Sequence, residues 1–274
     1  MPSDDHCRFQ RFGSVSTVTQ QPTRMKLSII TVCFNSARCI ADTLDSVDRQ
    51  TATEFEHIVV DGASRDGTMA VVNAHSRGWR HAVSEPDRGI YDAMNKGIQL
   101  ATGNVIGFLN ADDFYAHDKV LASVADAFDD PRIDAVLGDV AFFRPERPRR
   151  LTRRYRADKF SPERLAWGWM PPHPALFVRR EIFQRVGPFR TDYRIAGDFE
   201  WIVRAFGPAG IQHFQYLPDT LVHMRTGGIS TAGWRNTMLL NREVMRACRS
   251  NGVSTNWPKL LSKYPAKILE FALP

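Results

Sequence analysis

The sequence of 274 residues contains no long hydrophobic run and no recognisable export signal. A helix that crosses a membrane needs at least about 18 mostly apolar residues in a row, and no such run occurs. The first 25 residues also lack the basic and then apolar order of a secretory signal. We therefore predict no transmembrane helix and expect a cytoplasmic protein.

Cysteines are few, and their spacing fits neither a metal site nor a redox motif. The chain has four of them, Cys7, Cys33, Cys39 and Cys248, without a CxxC pair or a zinc-ligand spacing. We expect reduced thiols, which is the usual state of cysteine in the cytoplasm.

Two common phosphate-binding loops are also missing. No GxGxxG motif follows the first predicted strand, and no Gly-Lys-Ser/Thr sequence occurs anywhere. These absences count against a dehydrogenase and against a P-loop enzyme. A chain that binds a diphosphate without such a loop needs another positive partner, and a divalent metal ion is consistent with that need.

Positive charge is present in excess and is unevenly placed. The net charge is +6, from 36 lysines and arginines against 30 acidic residues. Seven arginines and one glutamate lie between Arg144 and Arg156. Such a cluster suits nucleic acid, an anionic membrane or a phosphorylated acceptor, and a solvated basic loop is the alternative.

Strands alternate with helices along most of the chain, which predicts an α/β fold with a mainly parallel central sheet flanked by helices. Helices are predicted after a cap at Asn35 or Ser36, after the turn-rich stretch Asp61–Thr68, over Gly89–Thr102 and over Phe199–Phe206. The predicted strands are Leu27–Phe34, His57–Val60, Val105–Leu109, Asp134–Phe143, Leu151–Tyr155 and Ala175–Val178.

Three regions are expected along the chain. Residues 1–24 are polar and predict a loose N-terminal arm. Residues 25–230 are expected to form the main α/β domain, with a first half over 25–115 and a second half over 116–230. Residues 231–274 predict a helical, basic C-terminal extension.

Acidic and amide side chains follow three of the predicted strands. Asn35 follows the first strand, Asp61 the second, and Asp112 and Asp113 follow the strand that begins at Val105. Ligands bind at the carboxyl ends of strands in open parallel sheets. Adjacent carboxylates repel unless a cation compensates them, which favours Mg²⁺ or Mn²⁺ at this pair. The alternative is a helix N-terminus, where acidic residues are also stable.

Five motifs follow one another along the first half of the chain, namely Thr31–Asn35, Asp61–Thr68, Asp87–Gly97, Ala101–Gly103 and Asn110–Asp113. Their order and spacing resemble family 2 glycosyltransferases with the GT-A fold. Gly197–Glu200 is similar to that family's acidic pair on the acceptor side. The resemblance runs from about Lys26 to about Ser230 and is nearest to bacterial exopolysaccharide and lipopolysaccharide enzymes, including colanic-acid-type fucosyltransferases.

The resemblance implies an inverting transfer of sugar from a nucleotide-sugar donor, UDP- or GDP-linked, to a hydroxyl of a glycan or lipid-linked acceptor. It implies that Asp61 binds the donor base and that Asp112 contacts the ribose or the metal. Asp113 would bind Mn²⁺ or Mg²⁺ at the diphosphate. Asp198 would be the general base that deprotonates the acceptor hydroxyl.

The chain departs from the family pattern at two places. Asn110 stands in the first position of the usual DxD metal motif. Gly197 stands before Asp198, where a glutamate is usual, and this leaves Glu200 as an alternative base. Side chains two residues apart on a helix point about 200° away from each other, so only one of the two can face the acceptor.

Further site residues are predicted with alternatives. Asp87 lies near the nucleotide or caps a helix, and Arg225 contacts phosphate beside a mobile glycine loop. His223 completes the metal site or has no such role. His173, Trp167 and Trp169 contact substrate or pack in the core. The residues predicted to bind the nucleotide-sugar are Thr31, Asn35, Asp61, Asp87, Asp112 and Arg225.

Two other classes of protein compete with this interpretation. A sugar nucleotidyltransferase is expected to carry a glycine-rich Arg/Lys motif near its start, which Thr31–Asn35 does not supply. A nucleic-acid-binding protein would leave the acidic strand ends unexplained, so no nucleic-acid partner is expected.

The end of the chain has the pattern of an interfacial amphipathic helix, or of a helix that packs on the catalytic domain. Together with the arginine cluster it predicts peripheral binding to the anionic inner face of the cytoplasmic membrane. The apolar residues of this helix are Trp257, Leu260, Leu261, Tyr264 and Ile268, and its lysines are Lys259, Lys263 and Lys267.

Overall fold

A computed structural model describes residues 25–52, 54–144, 147–227 and 233–263, without the side chains of 147–150. The predicted N-terminal arm with Cys7 lies outside the described residues, as do Gly228 and everything after Lys263. The three described cysteines are free thiols. None of the described helices is long and apolar enough to cross a membrane.

The secondary structure alternates as expected in the first half of the chain. Two 3-10 helices, Pro162–Trp167 and His173–Ala175, precede β8. The helices are α1 (Ile40–Asp48), α2 (Thr68–Ala74), α3 (Ile90–Leu100), α4 (Val120–Ala127), α5 (Arg180–Val186), α6 (Gly197–Ala205), α7 (Gly233–Ser250) and α8 (Trp257–Leu261). The strands are β1 (Leu27–Cys33), β2 (Phe55–Asp61), β3 (Arg80–Ser84), β4 (Val105–Phe108), β5 (Phe114–Tyr115), β6 (Ala135–Arg144), β7 (Arg147–Tyr155), β8 (Leu176–Arg179) and β9 (Phe214–Arg225).

The strands form one sheet in the order β3-β2-β1-β4-β8-β6-β9-β5, with β7 paired to β6. The first four strands in this order are parallel. Beyond β4 the sheet is mixed, because β8 runs antiparallel to both of its neighbours while β9 is parallel to β6. The α/β expectation is confirmed, but the sheet is wholly parallel only from β3 to β4 in the strand order.

Helices cover both faces of the parallel strands, which explains why every residue of β1 is buried. Ile58 and Val60 of β2 belong to the same core cluster as Met94 of α3. Val59, which points to the opposite face, clusters with Leu44 of α1. This layering fixes the strand ends that carry the polar residues.

Parallel pairing brings the ends of the first three strands to one edge of the sheet. In the register, Cys33 of β1 lies opposite Asp61 of β2, and Asp61 lies opposite Ser84 of β3. β4 ends at Phe108 beside the same edge, with Asn110–Asp113 directly after it.

The opposite edge of the sheet is closed by a buried glutamate. Glu56 accepts hydrogen bonds from the Ser28 hydroxyl at 2.6 Å, the Thr102 amide at 2.7 Å and the Gly103 amide at 3.2 Å, and it pairs with Lys26 at 2.8 Å. Burial alone would raise the pKa of Glu56, but these hydrogen bonds outweigh burial and lower the pKa to about 2. The loop before β4 is thereby tied to β1 and β2.

The C-terminal helices pack on the catalytic domain within the described residues. α7 contacts α6, and α8 contacts both α7 and the 3-10 helix Pro162–Trp167. Leu260 and Lys263 are buried, whereas Trp257 and Leu261 are exposed. The predicted amphipathic helix therefore directs part of its apolar face into the protein.

Gly107 tests the packing between β4 and β8. A Cβ atom at this position would lie 2.5 Å from the buried ring of Phe177. We expect Gly107→Ala to lower the free energy of unfolding by about 1–3 kcal/mol in a urea titration, because the ring has no space to move. Gly78→Ala is the control, since its Cβ would meet no atom within 4 Å. Equal losses in the two variants would contradict this packing.

Candidate active site

Asp61 ends β2 with both of its carboxylate oxygens occupied by protein donors. Oδ1 accepts from the Ser64 hydroxyl and from the Cys33 thiol at 3.6 Å. Oδ2 accepts from the Ser64 amide at 2.9 Å and from the Ser84 hydroxyl at 2.6 Å. Burial raises the pKa of Asp61, but the hydrogen bonds outweigh it and hold the pKa below its ordinary value. Asp61 therefore stays ionised and organises the loop that follows it.

Asn35 ties the end of β1 to this loop. Its amide donates to the Ser64 hydroxyl at 2.7 Å, and its side-chain oxygen accepts from the Arg65 amide at 3.0 Å. Asn35 adopts a left-handed conformation with φ of 51°. It does not cap α1, which begins at Ile40 after an N-cap at Cys39, so the predicted cap at Asn35 or Ser36 is wrong.

Thr31 lies below the carboxyl ends of β1, β2 and β3, which form the rim of the sheet. It is completely buried in β1, and its hydroxyl is 2.9 Å from Nε2 of His57. The structure places this residue inside the sheet, and its contact with the nucleotide-sugar stays a prediction.

Phe34, Gly62 and Asp87 lie close together at this rim. Phe34 is 63% exposed directly after the buried strand β1. A Cβ atom on Gly62 would lie 2.5 Å from Oδ2 of Asp87 and 3.4 Å from the Phe34 ring. Asp87 also accepts from the Gly89 amide at 2.8 Å. Sequence reasoning gave Phe34 no role, although an aromatic residue just beyond a buried strand was a usable signal.

Asp112 and Asp113 form an acidic pair after β4. Asn110 donates to Asp113 Oδ2 at 3.0 Å, and the Arg225 amide donates to Oδ1 at 3.1 Å. Burial, and then the neighbouring Asp112 charge, raise the pKa of Asp113 to about 7. Burial also raises the pKa of Asp112, and Arg225 partly offsets this effect. The pair therefore carries negative charge that the surrounding protein does not fully compensate.

Arg225 is the cation nearest to this pair. Its Nη2 atom lies 3.0 Å from Asp42 Oδ2, and its Nε atom donates to the carbonyl of Asp112 at 3.3 Å. Its guanidinium lies over the Phe143 ring, 5.1 Å from the centroid. Arg225 is the last residue of β9. Strand pairing thus holds this charge in place.

The acidic pair suits a hard divalent ion. Among the described residues, no group of three His, Cys, Asp or Glu side chains is arranged to hold a metal. Mg²⁺ and Mn²⁺ commonly take one or two carboxylates and complete their shell with water and substrate phosphate. Asp112 and Asp113 provide such a donor set.

His223 lies close to the pair along β9 but is engaged elsewhere. It pairs with Phe114 in the antiparallel ladder, and the two rings meet edge to face at 5.4 Å. Burial, and then the nearby His117, lower the pKa of His223. Within the described part of the chain, no hydrogen bond or ion pair joins it to Asp112 or Asp113.

Asp198 lies in the first turn of α6. Its Oδ1 atom accepts from the Phe199 amide at 2.8 Å and from the Tyr91 hydroxyl at 3.4 Å. Burial raises the pKa of Asp198 to about 6, with hydrogen bonds opposing the shift. A Cβ atom on Gly197 would lie 2.7 Å from the Tyr91 ring, so the glycine makes room for this ring. Tyr91 was missed because its partners are over 100 residues away.

Glu200, the alternative base, faces the interior. It is completely buried, and both of its oxygens accept from Arg204 at 2.8–3.1 Å. Asn251 donates to it at 3.3 Å. This carboxylate is committed to a buried ion pair that stabilises the helix.

The weaker candidates divide between core and surface. His173 is buried against the Phe108 ring at 5.1 Å, and burial lowers its pKa to about 4. Trp169 stacks on Tyr155, whereas Trp167 is exposed with Lys259 over its ring.

Part of the arginine cluster is paired within the protein. Arg154 pairs with the buried Asp139 at 2.8 Å, and Arg156 pairs with Asp158 at 2.7 Å. Strand β7 pairs antiparallel with β6.

The polar residues lie at the carboxyl ends of the parallel strands, which is where open α/β sheets bind their ligands. The chain matches the family described as Glycosyl transferase family 2 over residues 28–187 and therefore belongs to that family. This membership replaces the two alternatives, a sugar nucleotidyltransferase and a nucleic-acid-binding protein.

Its relatives are also named as glycosyltransferases. The chain is 33% identical to the PGL/p-HBAD biosynthesis glycosyltransferase of Mycobacterium bovis over 250 residues, which covers 86% of this chain and 92% of the relative. It is 33% identical over 190 residues to an uncharacterized glycosyltransferase of Mycobacterium tuberculosis, covering 69% of this chain and 70% of that one.

Solved structures share the fold. S. aureus TarS 1-349 in complex with UDP-GlcNAc superposes with a TM-score of 0.64 at 19% identity, covering 81% of this chain and 66% of that chain. The mannosyltransferase PcManGT of Pyrobaculum calidifontis, in complex with GDP-Man and Mn²⁺, gives 0.58 at 20% identity, covering 90% and 81%. The GT-A fold expected from the sequence is confirmed.

Proposed function

We propose that this glycosyltransferase moves a sugar from a UDP- or GDP-sugar to an acceptor hydroxyl with inversion at the anomeric carbon. The observation that carries the proposal is the position of Asp198. Tyr91, in the first turn of α3, donates a hydrogen bond to Asp198 at 3.4 Å. Helix α3 begins after the carboxyl end of β3, on the sheet edge where β4 leads into Asp112 and Asp113. Asp198 can accept the proton of the incoming hydroxyl, while Asp112 and Asp113 can hold a cation at the leaving diphosphate.

The proposed site for the donor base is the part of the rim formed by Phe34, Gly62 and Asp87. The exposed Phe34 ring offers a flat face for a base, and Asp87 offers a carboxylate for hydroxyl or ring N–H donors. Asp61 and Asn35 hold the loop that forms the wall. Neighbours that carry UDP-GlcNAc and GDP-Man support a nucleoside diphosphate sugar as donor.

Asp112 and Asp113 are the proposed metal ligands, and the neighbour that carries Mn²⁺ supports this assignment. A bound Mn²⁺ or Mg²⁺ neutralises charge that develops on the leaving diphosphate. Arg225 adds a fixed positive charge beside the same pair. His223 remains a prediction as a further ligand.

Asp198 is the proposed general base. Its ionised carboxylate takes the proton of the acceptor hydroxyl while the acceptor oxygen bonds to the anomeric carbon. The bond from that carbon to the diphosphate breaks on the opposite face, which inverts the configuration. A pKa of about 6 leaves Asp198 ionised near neutral pH and still basic enough to accept the proton.

The proposed acceptor is a glycan or a lipid-linked sugar at an anionic membrane surface. Trp234 of α7 and Trp257 of α8 are 71% and 42% exposed, and they line one groove with Met238 and Leu261. The guanidinium of Arg235 lies over the Trp234 ring at 5.5 Å. Exposed tryptophan beside basic residues is typical of surfaces that bind the lipid interface.

The metal assignment predicts that Asp113→Asn removes most activity. We expect turnover to fall at least about 100-fold, since one carboxylate ligand and its charge are lost. Release of nucleoside diphosphate measures turnover, and circular dichroism checks the fold. The wild-type enzyme should lose activity in EDTA and regain it with Mn²⁺. Full activity in excess EDTA would remove the metal from the proposal.

The base assignment predicts different results for two acidic residues in α6. Asp198→Asn should lower kcat by about 10²–10⁴-fold and leave donor affinity unchanged, because the base contacts only the acceptor. Glu200→Gln should lower stability and retain activity in the folded fraction. In the wild type, kcat should fall as the pH drops below about 6, since Asp198 is then protonated. An active Asp198→Asn enzyme beside an inactive, folded Glu200→Gln enzyme would refute the assignment.

The membrane assignment predicts co-sedimentation with anionic vesicles and not with neutral ones, weakening as salt rises. Joint replacement of Trp234 and Trp257 by alanine should reduce the bound fraction several-fold. Leu100→Ala is the control, because Leu100 is an exposed apolar residue at the end of α3. If the wild type sediments with neither vesicle type, this part of the proposal fails.

A further inference from the structure

Glu243 of α7 binds the backbone segment directly before α6, the helix that carries the proposed base Asp198. Its carboxylate accepts from three consecutive backbone amides, those of Arg194 at 2.8 Å, Ile195 at 2.9 Å and Ala196 at 2.8 Å. Asp198 follows two residues later. The Glu243 side chain is buried, so its bonds are not replaced readily by water.

These amides have few other ways to be satisfied. They precede α6, and the first amides of a helix and of the segment before it lack partners within the helix. Three hydrogen bonds from these amides offset the free energy that burial of the Glu243 carboxylate costs. They also fix the direction in which α6 begins. The first turn of α6 carries Asp198, so the orientation of the base depends on this segment.

The same segment is held from its other side by α3. The Tyr91 hydroxyl donates to the Ile195 carbonyl at 2.7 Å and lies 3.4 Å from Asp198. Ile195 is therefore bonded through its N–H to α7 and through its C=O to α3. Glu243 lies outside residues 28–187, which match the family.

We propose that Glu243 is a positioning residue for Asp198, so that helix α7 forms part of the catalytic machinery. This proposal rests on the proposed function, in which Asp198 is the base. Glu243 acts through the backbone of Arg194–Ala196 and does not need to contact substrate.

The charge of Glu243 provides an independent readout. Among the described residues of other elements, Tyr91 of α3 donates a hydrogen bond to Asp198, and the charge of Glu243 on α7 acts on it. On α6 itself, Glu200 is paired with Arg204. Burial is the main cause of the raised pKa of Asp198, and the Glu243 charge raises it further. Removing that charge should let Asp198 ionise at lower pH.

The test is Glu243→Gln in the full chain. A glutamine has one acceptor oxygen, and its NH₂ group would face a backbone N–H, so the segment must shift. We expect kcat to fall about 10- to 100-fold with little change in KM for the donor, because a displaced base costs turnover. The acid limb of the kcat profile should move to lower pH.

Glu243→Asp separates the two effects. It keeps the charge but is shorter by one methylene, so it cannot reach all three amides. We expect a lowered kcat with the acid limb near the wild-type position. This variant also serves if Glu243→Gln does not fold.

Glu56→Gln is the matched control. Glu56 is likewise a buried glutamate that accepts from consecutive loop amides, but it lies at the opposite edge of the sheet. It should lower the melting temperature and leave kcat and the acid limb unchanged in the folded fraction.

The outcomes separate this inference from the function on which it rests. An active Asp198→Asn enzyme would refute the base assignment. If Asp198→Asn is inactive while folded Glu243→Gln and Glu243→Asp both keep the wild-type kcat and pH profile, the positioning role is refuted. A loss of kcat and a shifted acid limb in Glu56→Gln would equally show that the effect is not specific to Glu243.

Discussion

Negative charge gathered at one edge of the sheet is the constraint on which the rest of the site depends. Parallel pairing of β1, β2 and β3, with β4 beside them, leaves no choice about where Asp61, Asp112 and Asp113 lie. Each carboxylate then needs hydrogen-bond donors or a cation to stabilise its charge. Asp61 accepts from the hydroxyl and amide of Ser64 in its own loop and from the Ser84 hydroxyl of β3. The acidic pair after β4 is only partly satisfied, and this residual charge is what makes the edge suitable for a cation with a diphosphate.

Much of this edge could be predicted from the sequence because its signals are local. A β-branched run followed by Asn35, and another followed by Asp61, predicts both the strands and the polar residues at their ends. Parallel pairing then follows from the helix between the two strands, because a strand–helix–strand connection places the second strand parallel to the first. Asp112 and Asp113 follow a third apolar run that the sequence shows in the same way, although β4 pairs with β1 between residues 78 positions apart.

The second half of the chain could not be predicted in the same way, because its contacts are long-range. β9 was missed, since its 12 residues mix exposed and buried positions without clear alternation, and its place beside β6 depends on pairing across some 80 residues. The tie between Tyr91 and Asp198 spans 107 residues, and Glu243 reaches its amides across 47–49. No periodicity in the sequence encodes such pairs.

Two aspartates of the same chain show how surroundings decide the use of a side chain. Asp61 and Asp198 both lose solvent, and burial alone would raise the pKa of each. Hydroxyl and amide donors saturate Asp61, so its pKa falls and it serves as a fixed acceptor that shapes the loop. Asp198 has two donors on one oxygen and a negative neighbour in Glu243, so its pKa rises to about 6. A carboxylate left partly unsatisfied at the edge of a site retains the basicity that proton transfer requires.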